Sequence, residues 1–414
     1  MVDIATEFAN NPQSVNALRV VQRLHRENFS AYLVGGCVRD LLLGKAPKDF
    51  DVATDAHPEA VKALFNSARM VGKRFKIVHV RFGRDIIEVT TFRAPAKKHE
   101  EDVSEGGMLL SDNVWGTFDE DVMRRDFTMN ALYFDPQTNE ITDLVRGTDD
   151  INAKLIRLIG EPEQRYREDP VRMLRAARFE AKLGFEIEKR TASSMKQLGF
   201  LLQDIPPARL FEEVLKLFMS GHGEASLESL IQHELLGWLF PDTANSDSTF
   251  APKLVQLALA STDKRIREGM PVTPAFILAA LLWWPFVKEK KRLVDEGSTN
   301  LAASHEAALN VIAKQQLFTS IPKRFSGPMR DIWQLQARLP NTRGKKPAIL
   351  VGHKRFRAAY DFLLLRENSG EKLDNLGEWW TTYQEQNPID PTTVIEAPGS
   401  RSRRPRKRRP KRAT

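Results

Sequence analysis

Cysteine is nearly absent from this chain of 414 residues, which contains only Cys37. A single cysteine excludes an internal disulfide and fits a protein of the reducing cytoplasm. Cys37 stands beside two glycines and could be a reactive thiol, but a small core residue is the interpretation we favour. The first residues also lack the basic start and the apolar run of a signal peptide. We therefore expect a cytoplasmic protein.

Long apolar runs are missing as well. The most apolar stretch, residues 275–284, is far too short to span a bilayer and is flanked by two prolines, so we expect a buried helix and no membrane span. No histidine is followed by aspartate, which excludes the His-Asp doublet of metal hydrolases. Cys/His zinc patterns, a P-loop signature and a Gly-x-Ser-x-Gly elbow are absent too.

The net charge of +8 is confined to one end of the chain. Residues 401–412 contain nine Lys or Arg and no acid, whereas the rest has 53 basic and 54 acidic residues. Two prolines and mutual repulsion predict a disordered basic tail, and such tails commonly contact nucleic acid. A solubility or membrane-surface role is the alternative.

A glycine turn able to hold phosphate follows the first predicted strand. Residues 31–34 are short, apolar and β-prone, and Gly35 and Gly36 let backbone N–H groups approach a ligand closely. Residues 38–43 favour a helix, with Gly44 placed to end it. This strand, turn and helix predict a phosphate site.

Two carboxylates follow the turn. We predict a strand over residues 48–52, so that Asp49 and Asp51 share one face while Phe50 and Val52 face the core. Two such carboxylates suit magnesium that also binds substrate phosphates.

Residues 1–160 are predicted to form a mixed α/β domain. The expected elements are helices over 14–27, 58–65 and 119–132, a hairpin of residues 76–82 and 85–92, a mobile loop over 94–113, and strands at 132–134 and 141–143. From residue 169 onward apolar positions recur at helical spacing, which predicts an almost wholly helical remainder. Within it, Trp333, Trp379 and Trp380 could stack on RNA, but packing in the core is the interpretation we favour.

Transfer of a phosphoryl or nucleotidyl group between two metal ions needs a third acidic group. Glu88 lies in an apolar strand that could neighbour the strand of Asp49 and Asp51. Asp126 is the other candidate: it follows Arg124 and Arg125, which could donate to phosphate, and on the predicted helix it shares a face with Asn130. The residues do not decide between these two acids.

A further cluster begins at Glu168. Asp169, Arg172, Arg175 and Arg178 recur every third residue, which predicts a stripe along one helix that could hydrogen-bond a base without a nucleic-acid template. Asp169 precedes a proline and therefore also has the sequence of an N-cap.

These motifs, in this order, resemble those of the class II nucleotidyltransferases, the family of bacterial poly(A) polymerases and CCA-adding tRNA nucleotidyltransferases. The resemblance implies a polymerase β-like α/β head over residues 1–160, a helical neck over 161–225, a helical body over 226–387, and a linker with the arginine-rich tail over 388–414. It also implies that Asp49 and Asp51 bind two Mg²⁺ ions and that Gly35, Gly36 and Arg39 hold the triphosphate of ATP. Asp169 and Arg172 would select the base, supported by Glu168 and Arg175.

The bacterial poly(A) polymerase branch is favoured by residues 205–213, 330–336 and 354–361 and by the arginine-rich end. The expected activity is template-independent transfer of AMP from ATP to RNA 3′ ends, with release of pyrophosphate. CCA addition to tRNA is the alternative, and a non-catalytic RNA-binding protein is a remote one.

Overall fold

The computed structural model describes residues 14–72, 76–94 and 114–388, together with residues 4, 6, 8 and 11. The predicted loop and the predicted linker and tail lie outside these residues, apart from residues 94 and 388. Contacts within the chain form two compact units. The first comprises residues 1–245, 263–270 and 315–320, and the second comprises residues 246–262, 271–314 and the chain from 321 onward.

The first unit is built on a seven-stranded sheet with the order β3-β4-β5-β2-β1-β6-β7. Its strands are β1 (Ala31–Val34), β2 (Asp51–Thr54), β3 (Ala68–Val71), β4 (Ile77–Phe82), β5 (Asp85–Thr91), β6 (Tyr133–Asp135) and β7 (Glu140–Thr142). The pair β2 and β5 is parallel, and the other neighbours in this sheet are antiparallel.

Helices alternate with these strands along the chain and continue after them. The helices up to residue 244 are α1 (Ser14–Arg26), α2 (Gly36–Leu42), α3 (Pro58–Leu64), α4 (Phe118–Arg124), α5 (Gly147–Asn152), α6 (Pro162–Glu168), α7 (Val171–Leu183), α8 (Lys189–Leu198), α9 (Pro207–Phe218), α10 (Gly223–Gln232), α11 (Leu236–Leu239) and α12 (Pro241–Ala244). Two short parallel strands, β8 (Leu155–Ile156) and β9 (Glu186–Ile187), pair with each other.

The remaining described chain is helical. Its helices are α13 (Ala251–Arg267), α14 (Pro274–Leu281), α15 (Trp283–Asp295), α16 (Asn300–Gln315), α17 (Lys323–Gln336), α18 (Lys346–Val351), α19 (Phe356–Asn368) and α20 (Leu376–Gln386). Trp333 and Trp380 are buried, and their indole N–H groups donate to the carbonyls of Ala279 and Leu339 at 3.1 and 3.0 Å. Their packing in the core is confirmed.

One face of the large sheet is apolar and covered by helices. Val78 and Val80 of β4 and Ile87 and Val89 of β5 are at most 2% exposed, and α3 contacts both strands. Because side chains alternate along a strand, the residues between them face the opposite side. That opposite face carries the candidate site.

Most of the predicted α/β elements are confirmed, including the first helix, the hairpin and the strands expected at 31–34, 132–134 and 141–143. The apolar stretch 275–284 is largely buried and helical, as expected, but it is divided between α14, which ends at Leu281, and the first turn of α15. Within the described ranges, no helix is both long enough and apolar enough to cross a bilayer.

Two local predictions are wrong. The helix expected over residues 119–132 ends at Arg124, and Arg125 and Phe127 are extended before a 3₁₀ turn over Thr128–Asn130. The expected strand over residues 48–52 begins only at Asp51, so Asp49 precedes it. Phe50 and Val52 are nevertheless buried, at 1% and 0% exposure, as predicted.

The single cysteine is part of the core. Cys37 is 2% exposed, and its thiol donates to the carbonyl of Val34 at 3.3 Å. Burial, with a smaller contribution from the charge of Asp51, raises the pKa of the thiol to about 12. The interpretation as a small core residue is confirmed.

Candidate active site

The carboxylates of the site lie on adjacent strands. Asp51 opens β2 and is the register partner of Glu88 on the parallel strand β5. Register partners on neighbouring strands lie roughly 5 Å apart and point to the same face. Glu88 also contacts His79 of β4, with 3.3 Å between the ring Nε2 and the carboxylate. Asp49 is exposed and lines the same cavity as Asp51.

The surroundings of Asp51 disfavour its charged form. Burial of its carboxylate, followed by repulsion from Glu88 and Asp49, raises its pKa to about 6, while Arg125 opposes the rise. A bound cation would relieve this repulsion, and oxygen donors of this kind suit Mg²⁺.

The glycine turn lies beside these carboxylates. Gly35 has φ +80° and ψ −130°, a backbone conformation that favours glycine, and a Cβ at this position would lie 3.8 Å from the Asn130 carbonyl oxygen and 3.9 Å from NH1 of Arg125. Gly36 begins α2. A side chain on Gly35 would therefore be strained at the turn that faces the cavity.

Arg39 is held by its neighbours. It is 2% exposed, its NH1 donates to the Asn130 side chain at 2.6 Å, and its Nε and NH2 donate to Asp40 at 2.9 and 2.6 Å. Its guanidinium also lies 5.2 Å from the ring centre of Phe179. Arg39 lines the cavity while its donors already bind protein groups.

Arg125 is positioned by a buried network. Its Nε donates to the Tyr133 hydroxyl at 2.6 Å, its NH2 donates to Asp121 at 2.9 Å, and the Tyr133 hydroxyl donates to Asp121 at 2.5 Å. Its NH1 is the guanidinium nitrogen nearest to Gly35. The network therefore leaves that nitrogen towards the glycine turn.

Asp126 lies between α4 and the 3₁₀ turn, and its carboxylate accepts hydrogen bonds from protein donors. Arg175 donates through Nε at 2.8 Å and approaches through NH2 at 2.5 Å, and the backbone N–H of Phe127 donates at 2.8 Å. These donors, with Arg175 contributing most, hold the pKa of Asp126 below its usual range despite burial. Asn130, expected one helical turn away, still lies close, with 3.5 Å between its amide and Asp126.

Arg165 explains why the chain leaves the helix before Asp126. Its NH2 donates to the carbonyls of Arg124 and Arg125 at 2.6 and 2.7 Å, and its NH1 donates to Glu168 at 2.6 Å. Phe127 forms a β-bridge with Leu158. These partners, distant in sequence, replace the helical hydrogen bonds of the predicted helix.

The predicted stripe belongs to α7 only from Arg172 onward. Asp169 is extended between α6 and α7, and its carboxylate accepts both contacts of Arg209 NH2, at 2.8 and 3.0 Å. Among the residues that the structure describes, this carboxylate forms no hydrogen bond with the first turn of α7. Arg172 donates to the carbonyl of Arg165 at 2.7 Å and to Glu168 at 3.3 Å.

One cavity of about 540 Å³ brings nearly all predicted site residues together. It is lined by Gly35, Gly36, Arg39, Asp49, Asp51, Arg124, Arg125, Asp126, Asn130, Glu168, Asp169, Arg172, Arg175, Arg178 and Phe179. Glu88 is the one predicted residue that does not line it. The volume is in the range of small-molecule sites.

The cavity is rich in cations at one end. Burial, followed by the nearby charges of Arg93 and Arg172, lowers the pKa of Arg124 to about 9, and burial also lowers the pKa of Arg178. Crowded, desolvated guanidinium groups favour an anionic ligand such as a triphosphate. Asp49 and Asp51, which line the same cavity, instead favour a cation.

The described residues contain no group of three or more His, Cys, Asp or Glu side chains arranged to hold a metal by themselves. Magnesium is usually bound by one or two carboxylates, water and substrate phosphates. The repulsion around Asp51 therefore fits an ion that binds together with a nucleotide.

Sequence reasoning missed four residues that hold the site in shape: Asp121, Tyr133, Arg165 and Arg209. Each forms a hydrogen bond with a residue that lines the cavity. Tyr133, Arg165 and Arg209 are 8, 41 and 40 positions from the cavity residues that they contact. Asp121, four positions before Arg125, had a possible signal in its helical spacing.

Comparison with protein-family models gives three matches. The Poly A polymerase head domain matches residues 31–157, the "probable RNA and SrmB-binding site of polymerase A" matches residues 184–246, and the "polymerase A arginine-rich C-terminus" matches residues 296–413.

The chain is 45% identical to Poly(A) polymerase I of Escherichia coli O6:H1 over 96% of this chain and 90% of the relative. It is 36% identical to a CCA-adding enzyme of Streptococcus pneumoniae serotype 19F over 64% of this chain and 63% of that protein. Among solved structures, a Bacillus stearothermophilus CCA-adding enzyme in complex with CTP matches with a TM-score of 0.60 and 27% identity, covering 92% of this chain and 84% of that one. The chain belongs to the poly(A) polymerase family of nucleotidyltransferases.

Proposed function

We propose that this protein adds AMP from ATP to RNA 3′ ends without a template. The observation that carries the proposal is the single cavity that joins two carboxylates, a glycine turn and an arginine cluster to the Asp169 segment. The poly(A) polymerase relatives share far more of the chain, at higher identity, than the CCA-adding relative, which favours polyadenylation.

In the proposed reaction, the RNA 3′ oxygen bonds to the α-phosphorus of ATP, the bond from that phosphorus to the β-phosphate oxygen breaks, and pyrophosphate leaves. Asp49 and Asp51 would hold two Mg²⁺ ions, which when bound activate the hydroxyl and neutralise the leaving group. Arg125 and Arg124 would hold the triphosphate against the glycine turn.

The base would be read by Asp169 and Arg172. Arg209 fixes both oxygens of Asp169, and Glu168 with the Arg165 carbonyl fixes one nitrogen of Arg172. Glu168, Arg175 and Arg178 would support this reading from the same cavity. A base-reading surface that is already held in place lowers the ordering cost of binding and supports selection of one base.

Three assignments accompany the proposal. The head, neck and body would end near residues 160, 225 and 387, followed by the linker and tail. Arg39 would act on the phosphates through the position of the glycine turn as well as by charge. The location would be cytoplasmic, where ATP and RNA 3′ ends are found.

The decisive test supplies purified protein with magnesium, a generic RNA and each nucleotide separately. ATP alone should give long tails, because the base-reading contacts are fixed, while CTP, GTP and UTP should give little extension. Denaturing gel electrophoresis measures the product length. Addition of CTP and ATP to a tRNA that stops after its terminal CCA would instead establish the alternative, and binding of RNA without incorporation would establish the remote one.

Deleting residues 401–414 should weaken RNA binding and make it less dependent on salt, because nine cations are removed. Single-nucleotide addition to a short primer should be largely retained. Fluorescence anisotropy at several salt concentrations measures the first effect, and a single-turnover assay measures the second. Unchanged RNA affinity would point to a membrane-surface or solubility role for the tail.

A further inference from the structure

A second cavity, of about 260 Å³, touches the candidate active site from another side. It is lined by Lys48, Asp49, Phe50, Arg84, Asp85, Ile86 and Ile87. Asp49 lines both this cavity and the larger one. The reaction proposed above has two substrates that must meet at the same carboxylates, and the larger cavity provides the contacts for one of them.

The second cavity lies where the chain enters β2 beside the start of β5. Asp51 pairs with Glu88 on β5, and the residues just before β2, which are not part of the strand, line the cavity together with residues 84–87. Ile86 shares the face of Glu88 because it lies two residues before it, and it is 39% exposed. An apolar side chain therefore lies exposed next to the carboxylates.

The two cations of this cavity are exposed. Within the described residues, Lys48 and Arg84 form no ion pair or hydrogen bond. Arg84 lies in the tight turn between β4 and β5, after Gly83 with φ +62°. Asp85 is occupied by Asn16, whose amide donates to it at 3.1 Å. The two available cations can therefore bind an external anion.

We propose that this second cavity, the Lys48–Arg84 pocket, binds the 3′-terminal sugar and phosphodiester of the acceptor RNA. The sugar edge would lie at Asp49, the phosphodiester between Lys48 and Arg84, and the base against Ile86. The volume is below that of a whole-ligand site and suits one sugar–phosphate unit. This assignment rests on the proposed function, because it names the site of the second substrate.

The pocket distinguishes the acceptor from ATP. Its two cations are absent from the larger cavity, and the arginine cluster of the larger cavity is absent from the pocket. Removing either cation should therefore change the use of RNA without changing the use of ATP. A general loss of folding or of catalysis would change both.

The test compares wild type with Lys48→Ala, Arg84→Ala and the double variant, using triadenylate as acceptor so that more distant surfaces cannot contribute. Lys62→Ala is the matched control, because Lys62 is exposed on α3, which packs on the opposite face of the sheet. Each single variant should raise the KM for triadenylate roughly fivefold to tenfold, as expected for one lost charged contact. The KM for ATP and the behaviour of Lys62→Ala should stay unchanged.

A second readout is the salt dependence of triadenylate binding, measured by fluorescence anisotropy in the absence of ATP. Loss of one phosphate contact should reduce the slope of log affinity against log salt by about 0.7. An unchanged KM for triadenylate together with an unchanged slope would overturn the proposal, and so would a rise confined to the KM for ATP. If triadenylate binding shows the expected difference in salt dependence between wild type and the variants, but wild type incorporates no AMP, the proposed function is refuted. The assignment of the pocket would then still be supported.

Discussion

Replacing Asp51 with asparagine should abolish AMP transfer and, in magnesium-free buffer, make the folded protein more stable at neutral pH. The loss of activity should be about a thousandfold or more, because a metal-binding carboxylate supplies several kcal/mol of transition-state stabilisation. The gain in stability arises from the same carboxylate, which is partly buried beside Glu88 and Asp49 and has its pKa raised to about 6, chiefly by desolvation.

The pH dependence of this gain follows from the direction of the shift. A carboxyl with a raised pKa binds its proton more tightly in the folded state, so folding stability falls as pH rises from about 4 to about 6 and is constant above. The free energy of unfolding of Asp51→Asn should therefore exceed that of wild type by up to about 3 kcal/mol above pH 6, and by progressively less towards pH 4. Urea unfolding at a series of pH values measures this difference.

Asp49→Asn is the matched control. Its replacement should also remove activity, because Asp49 is the other proposed magnesium ligand. The stability of the magnesium-free protein should stay nearly unchanged, because Asp49 is exposed. Full turnover in either variant would remove the metal assignment. An Asp51→Asn protein that is no more stable than wild type at pH 7 would contradict the repulsion described for the carboxylates.

Replacing Glu88 with glutamine should cost roughly a hundredfold or more in the rate of a single turnover, whereas Asp126→Asn should cost much less. Glu88 lies in register with Asp51 and is 46% exposed, so it can reach an ion bound there. Asp126 instead receives donors from Arg175 and Phe127, which leaves its carboxylate engaged within the protein. We infer that Glu88 is the third carboxylate.

Magnesium titration separates the two roles. Glu88→Gln should raise the magnesium concentration needed for half-maximal rate. Asp126→Asn should release Arg175 and chiefly raise the KM for ATP, with little change in the magnesium requirement. If Asp126→Asn shifts the magnesium requirement more strongly than Glu88→Gln, the assignment is reversed.

The sequence predicted those parts of the fold and site that depend on neighbours along the chain. Alternation along short strands predicted the hairpin and the buried positions of Phe50 and Val52, and the glycine turn was found because two adjacent glycines signal it directly. The candidate residues then converge on one cavity because the glycine turn, the start of β2, the segment after α4 and the first turns of α7 all line it, and β5 adds Glu88 beside Asp51.

Two of the errors, the helix over residues 119–132 and the capping by Asp169, have a common physical origin. The helix predicted over residues 119–132 has favourable local spacing, yet Arg165, some forty residues later, takes the carbonyls of Arg124 and Arg125 and the chain becomes extended. The capping expected of Asp169 is likewise replaced by its pairing with Arg209. Such partners are not visible in local periodicity, because tertiary contacts override it.

The buried thiol of Cys37 makes the natural chain suitable for site-specific fluorescent labelling. Maleimide dyes react with accessible thiolates, and a core thiol whose pKa is raised to about 12 offers almost none at neutral pH. A cysteine introduced at any exposed position would therefore be the dominant point of attachment, with no need to replace the native residue behind the catalytic strand.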